Sequence, residues 1–201
     1  MTTGLQRARP APGARQRILD TAYELFSRRG IRGVGIDEVI ERAAVAKATL
    51  YRHFSSKDEL VIAFLERREE VWTRGRIEAG ARNKGSTPEE CLLAIFDVFD
   101  EWFHEDGFDG CSFINVLLET GDLDHPIGRA SAAYLGNIRS VVGNLAREAG
   151  LREPEAFAHS WHILMKGSIV AAAEGDSQAA KRAKAMARLL LDEYRPAATA
   201  A

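Results

Sequence analysis

Apolar residues recur three and four positions apart along most of the chain, and no stretch alternates at period two for long enough to make a strand. This pattern predicts an all-α fold. A first helix is expected from about Gly13 to Arg29, with Ile18, Ala22, Leu25 and Phe26 on one face and Gly30 ending it. After the glycine-bearing connector Ile31 to Gly35, a short helix from Ile36 to Ala43 packs Val39 and Ile40, and Glu38 is placed to reach back toward its cap. A turn at Ala44 to Ala46 leads into another short helix, Lys47 to Phe54. Ser56 and Glu59 then make an S-x-x-E capping box that launches a long helix to about Arg82.

The polar segment Asn83 to Ser86 interrupts the pattern, and Thr87-Pro88-Glu89-Glu90 opens the next helix with a second capping box and proline at its first position. That helix carries Phe96, Phe99, Trp102 and Phe103 and stops at Asp106 to Gly110. A short apolar helix, Cys111 to Glu119, precedes a turn at Gly121 to Pro126. Longer helices follow over Ile127 to Ala149, Pro154 to Glu174 and Ser177 to Tyr194, and the Ala/Pro segment from Arg195 has nothing to pack.

Composition narrows the reading. The chain has 201 residues, 46% of them hydrophobic and 28% charged, as ordinary globular proteins do. No stretch free of Asp, Glu, Lys and Arg exceeds the ten residues from Ala156 to Met165, which is too short for a membrane helix. Met1 to Arg17 lacks the apolar core of a secretory signal, so a cytoplasmic location is expected. Cys91 and Cys111 are too few for a disulfide framework. The charge is uneven: Met1 to Arg68 holds 13 Lys and Arg against 8 Asp and Glu, whereas the rest holds 14 against 21. A basic N-terminal third on an acidic body suits a module that faces nucleic acid.

Two short helices joined by a three-residue turn, after a longer helix, have the layout of a helix-turn-helix, about residues 36–54. In the second, Leu50 and Phe54 stand at i and i+4 and belong inward. Lys47, Ala48, Thr49, Tyr51, Arg52 and His53 occupy the remaining face. Lys and Arg bring charge and donors, Thr a hydroxyl and a methyl, and Ala allows close approach to a major groove. Lys57 opens the next helix, where free N–H groups and the positive dipole end favour a phosphate.

The run Ala43-Ala44-Val45-Ala46-Lys47-Ala48-Thr49-Leu50-Tyr51-Arg52-His53-Phe54-Ser55-Ser56-Lys57-Asp58-Glu59-Leu60 resembles the signature of the TetR family of transcriptional regulators. With Ile18 to Gly30 the resemblance covers about Arg15 to Phe64. Gly110 to Asn115 and Lys166 to Asp176 are similar to less diagnostic segments of the family. The resemblance implies an Ω-shaped homodimer that binds a palindromic operator in double-stranded DNA. It assigns Lys47, Ala48, Thr49, Arg52 and His53 to base edges, and Tyr51, His53 and Lys57 to phosphates. Three positions depart from the family pattern: Gly35 stands at a usual Thr or Ser cap, so only its backbone N–H is left to meet a phosphate. Ala44 replaces a frequent turn glycine, and Ala46 a frequent Ser cap.

The resulting organisation is a basic arm at 1–12, with Arg7 to Arg17 offered to phosphates or the minor groove, and a DNA-binding domain at 13–60. A ligand-binding and dimerisation domain follows at 61–195, then a tail at 196–201. Trp72, Phe99, Trp102, Phe103, Phe113, Trp161, His162 and Met165 are more aromatic and polar than a core requires, and at least three are expected to line a cavity for a small apolar or aromatic effector. Small residues at Gly167, Ala171, Ala172, Ala180, Ala183 and Ala187 would allow close packing of the last two helices across a dimer. His159-x-x-His162 is a weak metal pattern, Asp106 to Gly110 lacks a calcium-loop ligand set, and Glu119, Asp122 and Asp124 border a turn, where acids ordinarily cap. No metal, cofactor or catalytic residue is expected, and the reading is a DNA-binding repressor rather than an enzyme. The alternative is a helical small-molecule-binding protein or enzyme with a structural N-terminal module. The exposed Thr49, Tyr51 and Arg52 argue against it.

Overall fold

Helix α1 (Ala14–Arg29) forms where its apolar positions line one side, and Ile18, Leu19, Ala22, Leu25 and Phe26 are all buried. In the computed structural model, which describes residues 12–197, α2 (Ile36–Arg42) and α3 (Lys47–His53) pack across this face. Val39, Leu50 and Phe54 complete the small core with Leu60, Val61 and Phe64 of α4 (Lys57–Arg68). Tyr23 and Phe26 meet the Phe64 ring edge-on, at 5.5 and 5.6 Å. The described residues start inside the arm, so Arg7 and most of segment 1–12 lie outside them, as does most of 196–201. Arg15 and Arg17 do not belong to an arm at all. Both lie in α1, Arg15 over the Phe54 ring at 5.1 Å and Arg17 donating to the Ala43 carbonyl.

The expected helix from Ser56 is continuous but not uniform. A π-helical stretch, Glu69–Glu78, joins α4 to α5 (Ala79–Lys84). Such wide turns inside helices recur at functional positions. The capping box is half as expected: Ser56 Oγ accepts from the Glu59 N–H at 3.1 Å, whereas the Glu59 carboxylate turns to Ser55, accepting from its N–H and hydroxyl at 2.6 and 2.7 Å. These bonds hold the Glu59 carboxyl below the usual range. Glu38 does not cap α2 either. It pairs with Arg29 at 2.6 Å and Arg42 at 3.4 Å, a charged attraction that an exposed cap N–H cannot match.

The body comprises α6 (Pro88–Phe103), α7 (Ser112–Thr120), α8 (Pro126–Glu148), α9 (Pro154–Ala173) and α10 (Ala179–Tyr194). Thr87 and Glu90 form the complete capping box at the start of α6. Helix α6 runs between α5, α8 and α10, and α9 closes the layer against α8 and α10. Module and body share one continuous apolar core, because α4 contributes to both. Glu119 of α7 accepts from the Arg32 N–H at 2.8 Å and fills the space beside Gly30, whose φ of +71° and missing Cβ allow this approach. No helix among the described residues is long and apolar enough to cross a membrane.

Candidate nucleic-acid interface

The local folding of α3 follows from its two buried anchors. Leu50 is fully buried and Phe54 almost so, which turns Lys47, Ala48, Tyr51 and Arg52 to solvent and leaves Thr49 and His53 half-buried at the edges. Tyr51 is 42% exposed, an unusual state for a large aromatic ring that packing does not require. Nearby carboxylates are engaged elsewhere: Asp37 with Lys47 at 3.3 Å, Asp58 with His125 at 3.4 Å, and Glu59 with Ser55. Arg52 has no ion-pair partner among the described residues. The Lys47–Asp37 pair is exposed at both ends and yields readily to a phosphate.

At the start of α2, exposed Gly35 adopts an extended conformation and supplies no side-chain cap, and Ala46 does the same for α3. The first N–H groups of both helices therefore stay free of side-chain capping. Ala44, in the turn between them, takes a φ of +50°, so the backbone keeps the left-handed geometry that glycine would adopt without strain. Lys57 is half-buried at the first position of α4. Gly35, Lys47, Ala48, Thr49, Tyr51, Arg52, His53 and Lys57 all lie on α2, α3, the start of α4 or their caps, and packing around Leu50 and Phe54 fixes the relative placement of these helices.

The eight candidate effector residues do not converge as a set. Trp72, Phe99, His162 and Met165 line one interior cavity with Cys111 and Ile138, but its volume is only about 10 Å³, room for a single water. Trp161 and Phe113 do not reach it. The Trp161 ring lies between Phe96 and Phe157, at 5.4 and 5.1 Å, and Phe113 stacks on Tyr134, so both are core. Trp102 and Phe103 also face elsewhere, clustering with Phe108. His162 is buried with its Nδ1 unpartnered, and burial together with the charges of Lys166 and Arg139 lowers its pKa to about 3. His159 is exposed, so the two histidines do not share one environment. Burial pushes the Cys111 thiol up, away from the reactive thiolate. Glu119 and Asp122 are taken up by backbone N–H groups of Arg32 and Asp124.

The alanine stripe requires a correction. Ala180 and Ala187 are buried inside this chain, where α10 lies against α6 and α9, whereas Ala183, also largely buried, borders an open groove between α9 and α10. Gly167 is exposed and Ala171 and Ala172 are half-buried. The large exposed apolar residues of these helices are Ile163, Val170, Met186 and Leu189. Sequence periodicity also passed over Arg68 and Arg76, which flank the Trp72 ring at 4.9 and 5.0 Å. Their spacing of four residues on either side of Trp72 was the available signal.

Comparison with known proteins places these features in a lineage. Residues 18–64 match the family model of bacterial regulatory proteins, tetR family. The HTH-type transcriptional repressor KstR2 of Rhodococcus jostii is 37% identical over 149 residues, which cover 70% of this chain and 67% of that protein. The HTH-type transcriptional activator FasR of Mycolicibacterium smegmatis is 34% identical over 48% of this chain, and the match spans only 43% of its length. Among solved structures, a TetR-family transcriptional regulator from Streptomyces coelicolor superposes with a TM-score of 0.81 at 29% identity, covering 90% of this chain and 95% of that one. A likeness that runs through both the helix-turn-helix and the helical body makes this chain a member of the TetR family of bacterial transcriptional regulators.

Proposed function

We propose that this protein is a cytoplasmic repressor that binds a palindromic operator as a homodimer and leaves it when a small apolar or aromatic effector occupies the body. The observation that carries the DNA-reading part is the outer face of α3: Arg52, Tyr51, Ala48 and Lys47 stand exposed while Leu50 and Phe54 anchor the helix from behind. In this reading residues 13–60 form the DNA-binding domain and 61–195 the effector-binding and dimerisation domain. Arg52 and Thr49 read base edges, with Lys47, Ala48 and His53 beside them. Tyr51, Lys57 and the Gly35 N–H hold phosphates.

A dimer is supported by an open apolar groove of about 300 Å³ along α9 and α10, lined by Ile163, Gly167, Ala171 and Met186. Two-fold pairing of such a face would match the symmetry of a palindrome. Repression is supported by the KstR2 relative, whose match extends well into the body, although the FasR relative is an activator. Selection of bound sequences from a random duplex library, at about 0.15 M salt to damp non-specific attraction, tests the reading. A palindrome with half-sites about one helical turn apart is expected. No enrichment by an intact dimer would overturn it.

A further inference from the structure

Outside the small interior cavity lies a second hollow that the aromatic pattern did not anticipate. It is a cleft of about 190 Å³ between the DNA-binding module and the body, bordered by Ser27 of α1, Arg68 of α4, Trp72 and Arg76 of the π-helical stretch, Trp102 of α6 and Ser112 of α7. Trp72 lines both this cleft and the interior cavity, and its ring rests on Trp102 at 4.2 Å. One indole therefore separates a polar outer hollow from an apolar inner one that holds Phe99, Met165 and His162.

The donors around the outer hollow are those an anion needs. Ser27 Oγ is buried and makes no hydrogen bond. Arg68 makes a single one among the described residues, donating to the Tyr23 hydroxyl at 2.8 Å, and has no carboxylate partner there. Its planar guanidinium keeps further N–H groups for a second ligand. The cleft also borders two acids, but Glu105 is already paired with Arg76 and Asp109 is exposed to water. Arg68 is therefore the cation of the cleft with no direct ion pair, although Glu105 stands near enough to feel its charge.

We infer that this cleft binds the carboxylate of an apolar organic acid, with the head on Arg68 and Ser27 and the body displacing Trp72 to enter the cavity toward Met165 and His162. The inference rests on the reading of the body as an effector domain and gives the effector its chemical class. A carboxylate here also bridges module and body, because Ser27 and Tyr23 belong to α1 while Arg68 belongs to α4. Taking the guanidinium from Tyr23 removes one tie between those helices.

The test uses octanoate and 4-phenylbutyrate with their neutral counterparts 1-octanol and 4-phenylbutan-1-ol, added to the full chain and followed by calorimetry and by indole fluorescence. The acids should bind roughly 10- to 100-fold more tightly than the matched alcohols, the usual margin for a charged hydrogen-bonded pair. Arg68→Gln should remove that margin while leaving alcohol binding unchanged. Tyr23→Phe deletes the α1 tie but keeps the charge, so it should preserve acid binding. Equal affinity for acid and alcohol, no binding of either, or equal losses in both variants would overturn the carboxylate site. Alcohols that bind as well as acids and release the operator would leave the effector reading standing without this site.

Discussion

The α3 surface and the body cavity solve opposite problems with similar residues. On α3, Tyr51 and Arg52 stand in water on a short helix held from behind by two buried anchors, so the groups proposed to meet DNA are already in place on the surface. Around Trp72, aromatic rings and an arginine are folded in on one another, and the space they enclose has a single water's volume. The first region is set up to bind at once. In the proposed reading, the second would have to open to admit an effector, and that opening is what could be coupled to the first.

The largest effect should come from removing an anchor. Phe54→Ala empties the space behind α3 and should cost about 3–5 kcal/mol in the melting of the module. Specific DNA binding should fail with it, and retention of either would mean that α3 is held by something other than this core. Next is pH, whose strongest lever lies on the cavity side. Buried His162 stays neutral down to about pH 3 in the folded chain, whereas an unfolded histidine takes up its proton below about 6.5. The unfolded state then binds more protons, so stability is complete above pH 6.5 and falls as pH drops toward 3, by at most about 1.4 kcal/mol per unit. His162→Gln should flatten this part of a melting-temperature profile, and an unchanged slope would contradict the assignment.

Smaller effects sharpen the other side of the comparison. Arg52→Ala should lose about 1–3 kcal/mol against the preferred base at one operator position, with no change in melting temperature. Lys57→Ala should weaken binding to cognate and scrambled duplexes alike and reduce the salt slope by about one. Equal losses on both duplexes for Arg52→Ala would take it off the base edges. Smallest of all, Ala44→Gly should raise stability by about 1 kcal/mol by relieving the left-handed alanine, readable in denaturant unfolding. If it destabilises instead, the extra freedom of glycine in the unfolded chain outweighs the strain.

Much of the module was legible because its signals are local. The i, i+4 pair Leu50 and Phe54, the three-residue turn and the Ser56 cap each act within a few residues, and the observed helices keep the expected order. Local signals ran out where a side chain had a choice of partners. Glu38 found Arg29 instead of a cap, and Glu119 found the Arg32 N–H across 87 positions of sequence. The body's aromatics are evident by type in the sequence, yet type does not say which side of a buried helix faces a cavity. Trp161 and Phe113 went to the core on that account.

The alanine stripe shows the same division most plainly. By itself the sequence determined that α10 packs closely against something, since Ala180, Ala183 and Ala187 recur at helical spacing with no bulk to hold a neighbour away. It likewise determined the helical class, the caps and the outward face of α3, all consequences of periodicity and short-range hydrogen bonding. Only the tertiary structure decided that the neighbour of α10 is α6 and α9 of the same chain, and that Trp72 stands between two hollows. Hydrophobic burial is non-directional: it fixes which face of a helix must be covered, and the arrangement of the whole chain chooses what covers it.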